Sequence, residues 1–228
     1  MAIIYRIVAE ADRFAYLDTA DREAFLKECP FDGTAKPAHD RYGRGYQIDP
    51  PEFFVAEHDR PRPDIWSVCG LSHALAIPRR ILDRDLPGTP LVTVVEAVGQ
   101  FFSIEVEGEE FVVWVVTNVL NALDKTNSRF DPADPGRVLH YEFHSGRVGS
   151  APFRIMETRG RELLAGVFYG ECAACDQFVP WVQHVGLTGL RFEEIWNDGE
   201  RVPDDWDECW EDAEELRRML GRESEEEE

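Results

Sequence analysis

The chain has 228 residues, 43% of them hydrophobic and 11% aromatic, enough for one folded domain with a substantial core. It carries 45 acidic against 24 basic residues, a formal net charge of −21. That balance excludes a general affinity for phosphate backbones or anionic membranes, both of which need surplus Lys and Arg, and it favours a basic partner. Five scattered cysteines, an odd number, suit a reducing compartment better than a disulfide framework. No apolar run reaches the ~18 residues of a membrane span, and "MAIIYRIVAEADRF" lacks the long apolar stretch and cleavage site of an export signal. The expectation is a soluble cytoplasmic protein.

In chain order, "AIIYRIVAE" is rich in β-branched and aromatic residues and predicts a strand. "TADREAFLKEC" predicts a helix capped by Thr19 or Asp21. Residues 30–64 hold six prolines and several glycines, an irregular excursion with one short strand at 53–57. The later part of "DIWSVCGLSHALAIPRRILDRDLP" predicts a helix, with Ser72 as cap, Leu75, Ile81 and Leu82 on one face, and Pro78 as a kink.

The strongest β signal follows. "LVTVVEAVGQFFSIEVEGEEFVVWVVTNVL" contains three β-rich runs with a turn centred on Gly108, and "FVVWVV", apolar on both faces, predicts the most buried strand. "VLHYEFHSG" and "FRIMETRG" add two short strands, whereas "ELLAGVFYG" fits a helix end or a strand. "CAACDQFVPWVQHVG" predicts a helix with Phe178, Trp181, Val182 and Val185 on one side, stopped by Gly186, and "LRFEEIW" predicts the last strand.

The expected fold class is α+β, a single domain over residues 1–202 with a mostly antiparallel or mixed sheet flanked by helices. One sheet is expected from residues 90–117, 138–157 and 187–196. An acidic helix over 203–221 and a disordered Glu-rich tail over 222–228 complete the chain. That helix places Trp206, Trp210, Ala213, Leu216 and Leu220 at helical spacing. Residues 203–228 contain thirteen acids and three arginines, about half of the net charge.

Few constellations point to chemistry. Cys172 and Cys175 form a CxxC at a helix start, the position of a low-pKa thiolate in thiol oxidoreductases. Too little chain follows to complete such a sheet, and two intervening alanines fit a packed helix start. A zinc site would need His184 and Cys209 as well, with no second closely spaced pair. Cys69 or Cys209 with His73 is formally a nucleophile and base. No P-loop, GxSxG, HExxH or GxGxxG is present. His140 and His144 fall on one side of a strand, the ordinary place for a satisfied surface pair.

The polar step at 118–131, with Asn118, Asn121, Asp124, Asn127, Ser128 and Asp131, follows the most buried strand. Such residues build turns by bonding to nearby backbone, and they could also line a pocket at the sheet edge.

"NVLNALDKTNSRF" followed by "GLTGLRFEEIW" resembles immunity protein family eleven of bacterial polymorphic-toxin systems, formerly a domain of unknown function. The likeness covers roughly residues 40–196. Its motif positions are Asn118, Asp124 and Ser128, then Gly186, Leu187, Gly189, Phe192 and Trp196. The resemblance implies an α+β domain that neutralises a cognate toxin, and it carries no active-site residue.

The first expectation is therefore a non-catalytic immunity protein, without cofactor or metal, that binds a toxin domain with a basic surface and neither nucleic acid nor membrane. Its contacts are expected at Tyr42, Tyr46, Phe53 and Phe54 and at the acids Asp204, Asp205 and Glu211. The alternatives are a small cytoplasmic enzyme or thiol protein using Cys172 and Cys175 or the polar step, and a general interaction module using the acidic helix.

Overall fold

The computed structural model of the chain describes residues 2–21, 52–68, 71–82, 99–116, 118–158, 162–168 and 177–199. Strands dominate: β1 (Ala2–Ala9), β2 (Tyr16–Thr19), β3 (Phe53–Ala56), β4 (Trp66–Val68), β5 (Leu71–Pro78), β6 (Gly99–Val106) and β7 (Glu109–Val116). They continue with β8 (Val119–Leu120), β9 (Arg129–Phe130), β10 (Val138–His140), β11 (Phe153–Ile155), β12 (Leu163–Phe168) and β13 (Leu190–Asn197). The helix Phe178–Val185 and the single turn Arg79–Leu82 are the α-helical elements among the described residues.

The expected mixed β architecture is present, but it is divided. One sheet has the order β3-β2-β4-β5-β7-β6, with β2 and β4 parallel and its other pairs antiparallel. A second has the order β13-β1-β12-β11-β8, in which only β11 and β8 are parallel. Strands β9 and β10 pair by themselves. Residues 99–116 and 190–197, expected in one sheet, therefore lie in different ones. The organiser is β1, which inserts between β12 and β13 and recruits both away from β7.

The six-stranded sheet curls until β3 lies against β6. Its inner face encloses Leu17, Val55, Trp66, Ala76, Val113 and Val115. Its outer face presents Leu75, Ile77, Trp114 and Val116 to Ile7, Leu163, Ala165 and Val167 of the second sheet, with the helix Phe178–Val185 in the same core. The far face of the second sheet packs Ile4, Phe153, Ile155 and Leu164 against Leu123, Val138, Tyr141 and Phe143.

Strand β7 is the wall between the first two cores, and this is why "FVVWVV" has no polar face: Phe111 to Val116 are each at most 3% exposed. Its hairpin with β6 turns through Glu107 and Gly108, with φ of 52° and 79°, the signs of a type I′ turn.

The helix expected around Ser72 to Leu82 is a strand for most of its length. Ala74 and Ala76 face the inner core while Leu75 and Ile77 face the outer one, a period of two that pairing with β4 and β7 imposes. Only Arg79–Leu82 turns helical, directly after Pro78. "ELLAGVFYG" resolves as β12. Helical flanking is correspondingly weak. The helix expected after Thr19, the acidic helix 203–221 and the tail 222–228 lie outside the described residues.

The helix Phe178–Val185 buries Phe178, Val179, Trp181, Val182 and Val185. Gln177 precedes it, fully buried, and its side-chain amide accepts from Phe168 N–H (2.6 Å) and donates to Phe168 C=O (2.7 Å). The helix ends at Gly186 in the left-handed conformation (φ 71°), and Leu187 N–H closes back on the Val182 carbonyl at 3.1 Å.

Candidate functional site

"GLTGLRFEEIW" is a structural staple. Thr188 donates from its N–H (2.7 Å) and its hydroxyl (2.6 Å) to the buried Asp64 carboxylate, and accepts from Asp64 N–H at 3.2 Å. Its carbonyl accepts from Ile65 N–H at 3.0 Å. At Gly189 (φ 102°) a Cβ would lie 2.0 Å from the Ile65 carbonyl oxygen, so the close approach of the two segments requires glycine. Leu187 and Phe192 pack on the central core, Phe192 edge-on to Phe178 at 6.4 Å. Trp196 packs edge-on to Phe143 at 5.8 Å and donates to Glu142 Oε2 at 2.9 Å.

The polar step is a turn, as its composition favours. Asp124 Oδ1 accepts from Thr126 and Asn127 N–H, and its other oxygen accepts from Asn127 Nδ2. These bonds, that from the Asn127 side chain foremost, hold the Asp124 carboxyl below the usual carboxylate range. Ser128 exchanges hydrogen bonds with the backbone of Glu142, Oγ donating to the carbonyl (3.2 Å) and accepting from the N–H (3.0 Å). Asp124 N–H donates to that carbonyl too, at 2.7 Å. Asn118 donates weakly to the Pro152 carbonyl at 3.5 Å. Asp124, Ser128 and Trp196 thus converge on Glu142, and the two motif segments are one structural unit.

Among the described residues, two further surface features bear on binding. The first is Phe54 on β3, 44% exposed, beside Phe53 at 6%. Strand alternation explains the difference, with Phe53 and Val55 entering the inner core. Phe53, expected as a contact residue, is therefore core. Asp18 lies directly across from Phe54 on β2, and exposed Glu52 precedes it by two residues.

The second is a cleft of about 670 Å³ at the far face of the second sheet. There Arg6 bonds Tyr141 Oη (2.8 Å) and pairs with Glu162 (2.8 Å) and Glu193 (3.2 Å). Its guanidinium also lies over the Tyr141 ring, 5.6 Å from the centroid. Tyr141 donates to Glu162 at 2.7 Å. Burial and then Glu162 push its phenol well above the ordinary value, so it is a fixed donor and not an incipient phenolate. Around Arg6, burial works against the charge, but Glu162, Tyr141 and Glu193 outweigh it and raise the guanidinium further.

No local pattern marks this group, because Arg6, Tyr141, Glu162 and Glu193 come from four distant segments. A charged residue inside the apolar "AIIYRIVA" is the one available hint. His140 bonds Glu142 at 3.2 Å, while His144 N–H donates to the Ala122 carbonyl. Tyr42, Tyr46, Asp204, Asp205 and Glu211 lie outside the described residues, as do Cys69, Cys172, Cys175 and Cys209. Among the described residues no group of three or more His, Cys, Asp or Glu is placed to hold a metal ion, and no helix is long and apolar enough to cross a membrane. Compared with protein-family models, with curated proteins and with solved structures, the chain finds no match.

Proposed function

We propose that this protein acts by binding and not by catalysis, as the inhibitor of a toxin domain with a basic surface. The observation that carries the reading is Phe54, a large aromatic side chain left in solvent on the outer face of the curled sheet beside Asp18 and Glu52. An aromatic anchor inside a charged rim is the usual composition of a protein-binding hot spot. The formal charge of −21 supplies a steering field for a cationic partner, worth ~10 to 10³ in association rate at low salt. The described motif positions serve a helix stop, a turn and packing.

The test is co-expression, in a naive host, with the C-terminal toxin domain of a secreted protein encoded beside this one. Survival and recovery of a complex are expected, with a footprint of ~800 Å² per partner. Association should slow as salt rises. Phe54→Ser, which removes no core contact, should weaken the complex without lowering the melting temperature. Equal killing with and without this protein, and no recoverable complex, would sink the reading.

A further inference from the structure

The outer face of the six-stranded sheet changes character across its width. At β5 and β7 it presents Leu75, Ile77 and Trp114 to the core shared with the second sheet. On β2 and β3, alternation sends Leu17, Phe53 and Val55 into the inner core and leaves Asp18 and Phe54 together on the outer face. Exposed Glu52, two residues before Phe54, falls on the same side by the same alternation. Phe54 stands 44% exposed between these two carboxylates.

The charges on this face decide what could settle there. Asp18 lies directly opposite Phe54, a pairing that brings Cβ atoms to about 5 Å. One Asp18 oxygen accepts from Thr19 N–H at 2.8 Å, which leaves the other to a ligand. Neither β2 nor β3 carries a basic residue, and among the described residues no cation pairs with Asp18 or Glu52. The cleft beside Arg6 has no such bias, since Arg6, Arg137 and His140 line it against Glu162 alone. An anion on Phe54 would meet two like charges, and a purely apolar side chain would desolvate two carboxylates without pairing them. A guanidinium suits all three groups, because its flat face stacks on an aromatic ring while its edge donates to carboxylates.

We propose that Phe54 seats an arginine side chain of the basic partner, the guanidinium stacked on the ring and donating to Asp18, with Glu52 adding its charge. The proposal rests on the reading that this face binds a basic partner, and it names the group that the face recognises. Lysine fits less well, since its ammonium is a compact, strongly hydrated point charge without a flat face to stack.

The probe is the blocked peptide acetyl-Gly-Arg-Gly-amide, titrated at constant ionic strength into the full-length isotope-labelled protein and followed by amide chemical shifts. A dissociation constant of about 1–10 mM is expected for a single anchored side chain, with shifts clustered at residues 16–19 and 52–56. The same peptide with citrulline, which keeps the shape and lacks the charge, should bind at least about fivefold more weakly, and the lysine peptide at least about twofold. Phe54→Leu keeps an apolar side chain and removes the ring. Asp18→Asn keeps the acceptor for Thr19 N–H and removes the charge. Each should weaken arginine binding at least about threefold with an unchanged melting temperature. The proposal is overturned if citrulline or lysine binds as tightly as arginine, if the shifts lie elsewhere or are absent, or if both variants bind normally. No toxin is present in this titration, so its failure leaves the inhibitor reading standing, and a failed co-expression leaves the arginine result intact.

Discussion

Replacing Gly189 with alanine tests whether the "GLTG" segment is a staple of the fold. The added Cβ would sit 2.0 Å from the Ile65 carbonyl oxygen and 2.7 Å from Pro63 Cβ. Ordinary contact begins at 3.4 Å, so the backbones must part by about 1.4 Å, and no rotamer can relieve a clash with a carbonyl. A φ of 102° adds about 1–3 kcal/mol of strain for an L-residue. Parting the segments also breaks the bonds from Ile65 N–H to Thr188 and from Glu10 N–H to Gly189, about 1 kcal/mol each. It weakens the charge-assisted pair of Thr188 with Asp64, worth about 1.5–3 kcal/mol.

The expected loss is about 3–6 kcal/mol, a large share of a typical 5–15, and a fall in melting temperature of about 10 °C or more. Gly199→Ala is the control. Its φ is 92°, but nothing lies within 4 Å of the new Cβ, so it carries the strain without the clash. Thermal and urea unfolding followed by circular dichroism would separate the two. If Gly189→Ala melts within about two degrees of Gly199→Ala, the staple is not what holds these segments together.

Trp114 is fully buried between the sheets, 5.9 Å from Phe178, with an indole N–H that has no acceptor among the described residues. Trp114→Ala should cost about 3–5 kcal/mol, and Trp114→Phe clearly less, because it keeps a ring and removes an unsatisfied donor; equal melting of the two variants would refute this. His73, nine-tenths inside, has its imidazole pushed down to about 3 by burial and by Arg154. The unfolded chain takes that proton near pH 6.5 and the folded chain does not, so stability is full above 6.5. It should fall by up to about 1.4 kcal/mol per pH unit between 6.5 and 3. Urea midpoints across that range should show this acid limb, and His73→Gln should flatten it. Exposed Glu105 and Glu110 face each other across β6 and β7, like charges directly opposed. Glu110→Lys should stabilise by about 0.5–1 kcal/mol in low salt, an effect that must shrink as salt is added.

What the sequence determined by itself is local. Alternation and β-branching marked β1, β3, β6, β7 and β13, the Glu107–Gly108 hairpin, and the helix Phe178–Val185 closed by Gly186. Each depends on contacts within a few residues, and "FVVWVV" announced its double burial because a strand between two cores can afford no polar face. The polar step was legible as a turn for the same reason, since Asp124 caps its own neighbours.

Partnership was decided only by tertiary structure. Leu75 and Ile77 carry a pattern compatible with a helix, and only β4 and β7 on either side make it a strand. The division into two sheets follows from β1 inserting between β12 and β13, a pairing of residues more than 150 apart that no local period encodes. The same holds for the surface. The alternation that exposes Phe54 and buries Phe53 needed the register of β3 on β2, and the cleft exists only where Arg6, Tyr141 and Glu162 meet. Local structure is fixed by neighbours along the chain, whereas a site assembled from distant segments depends on register, which the sequence specifies only through the whole of the packed core.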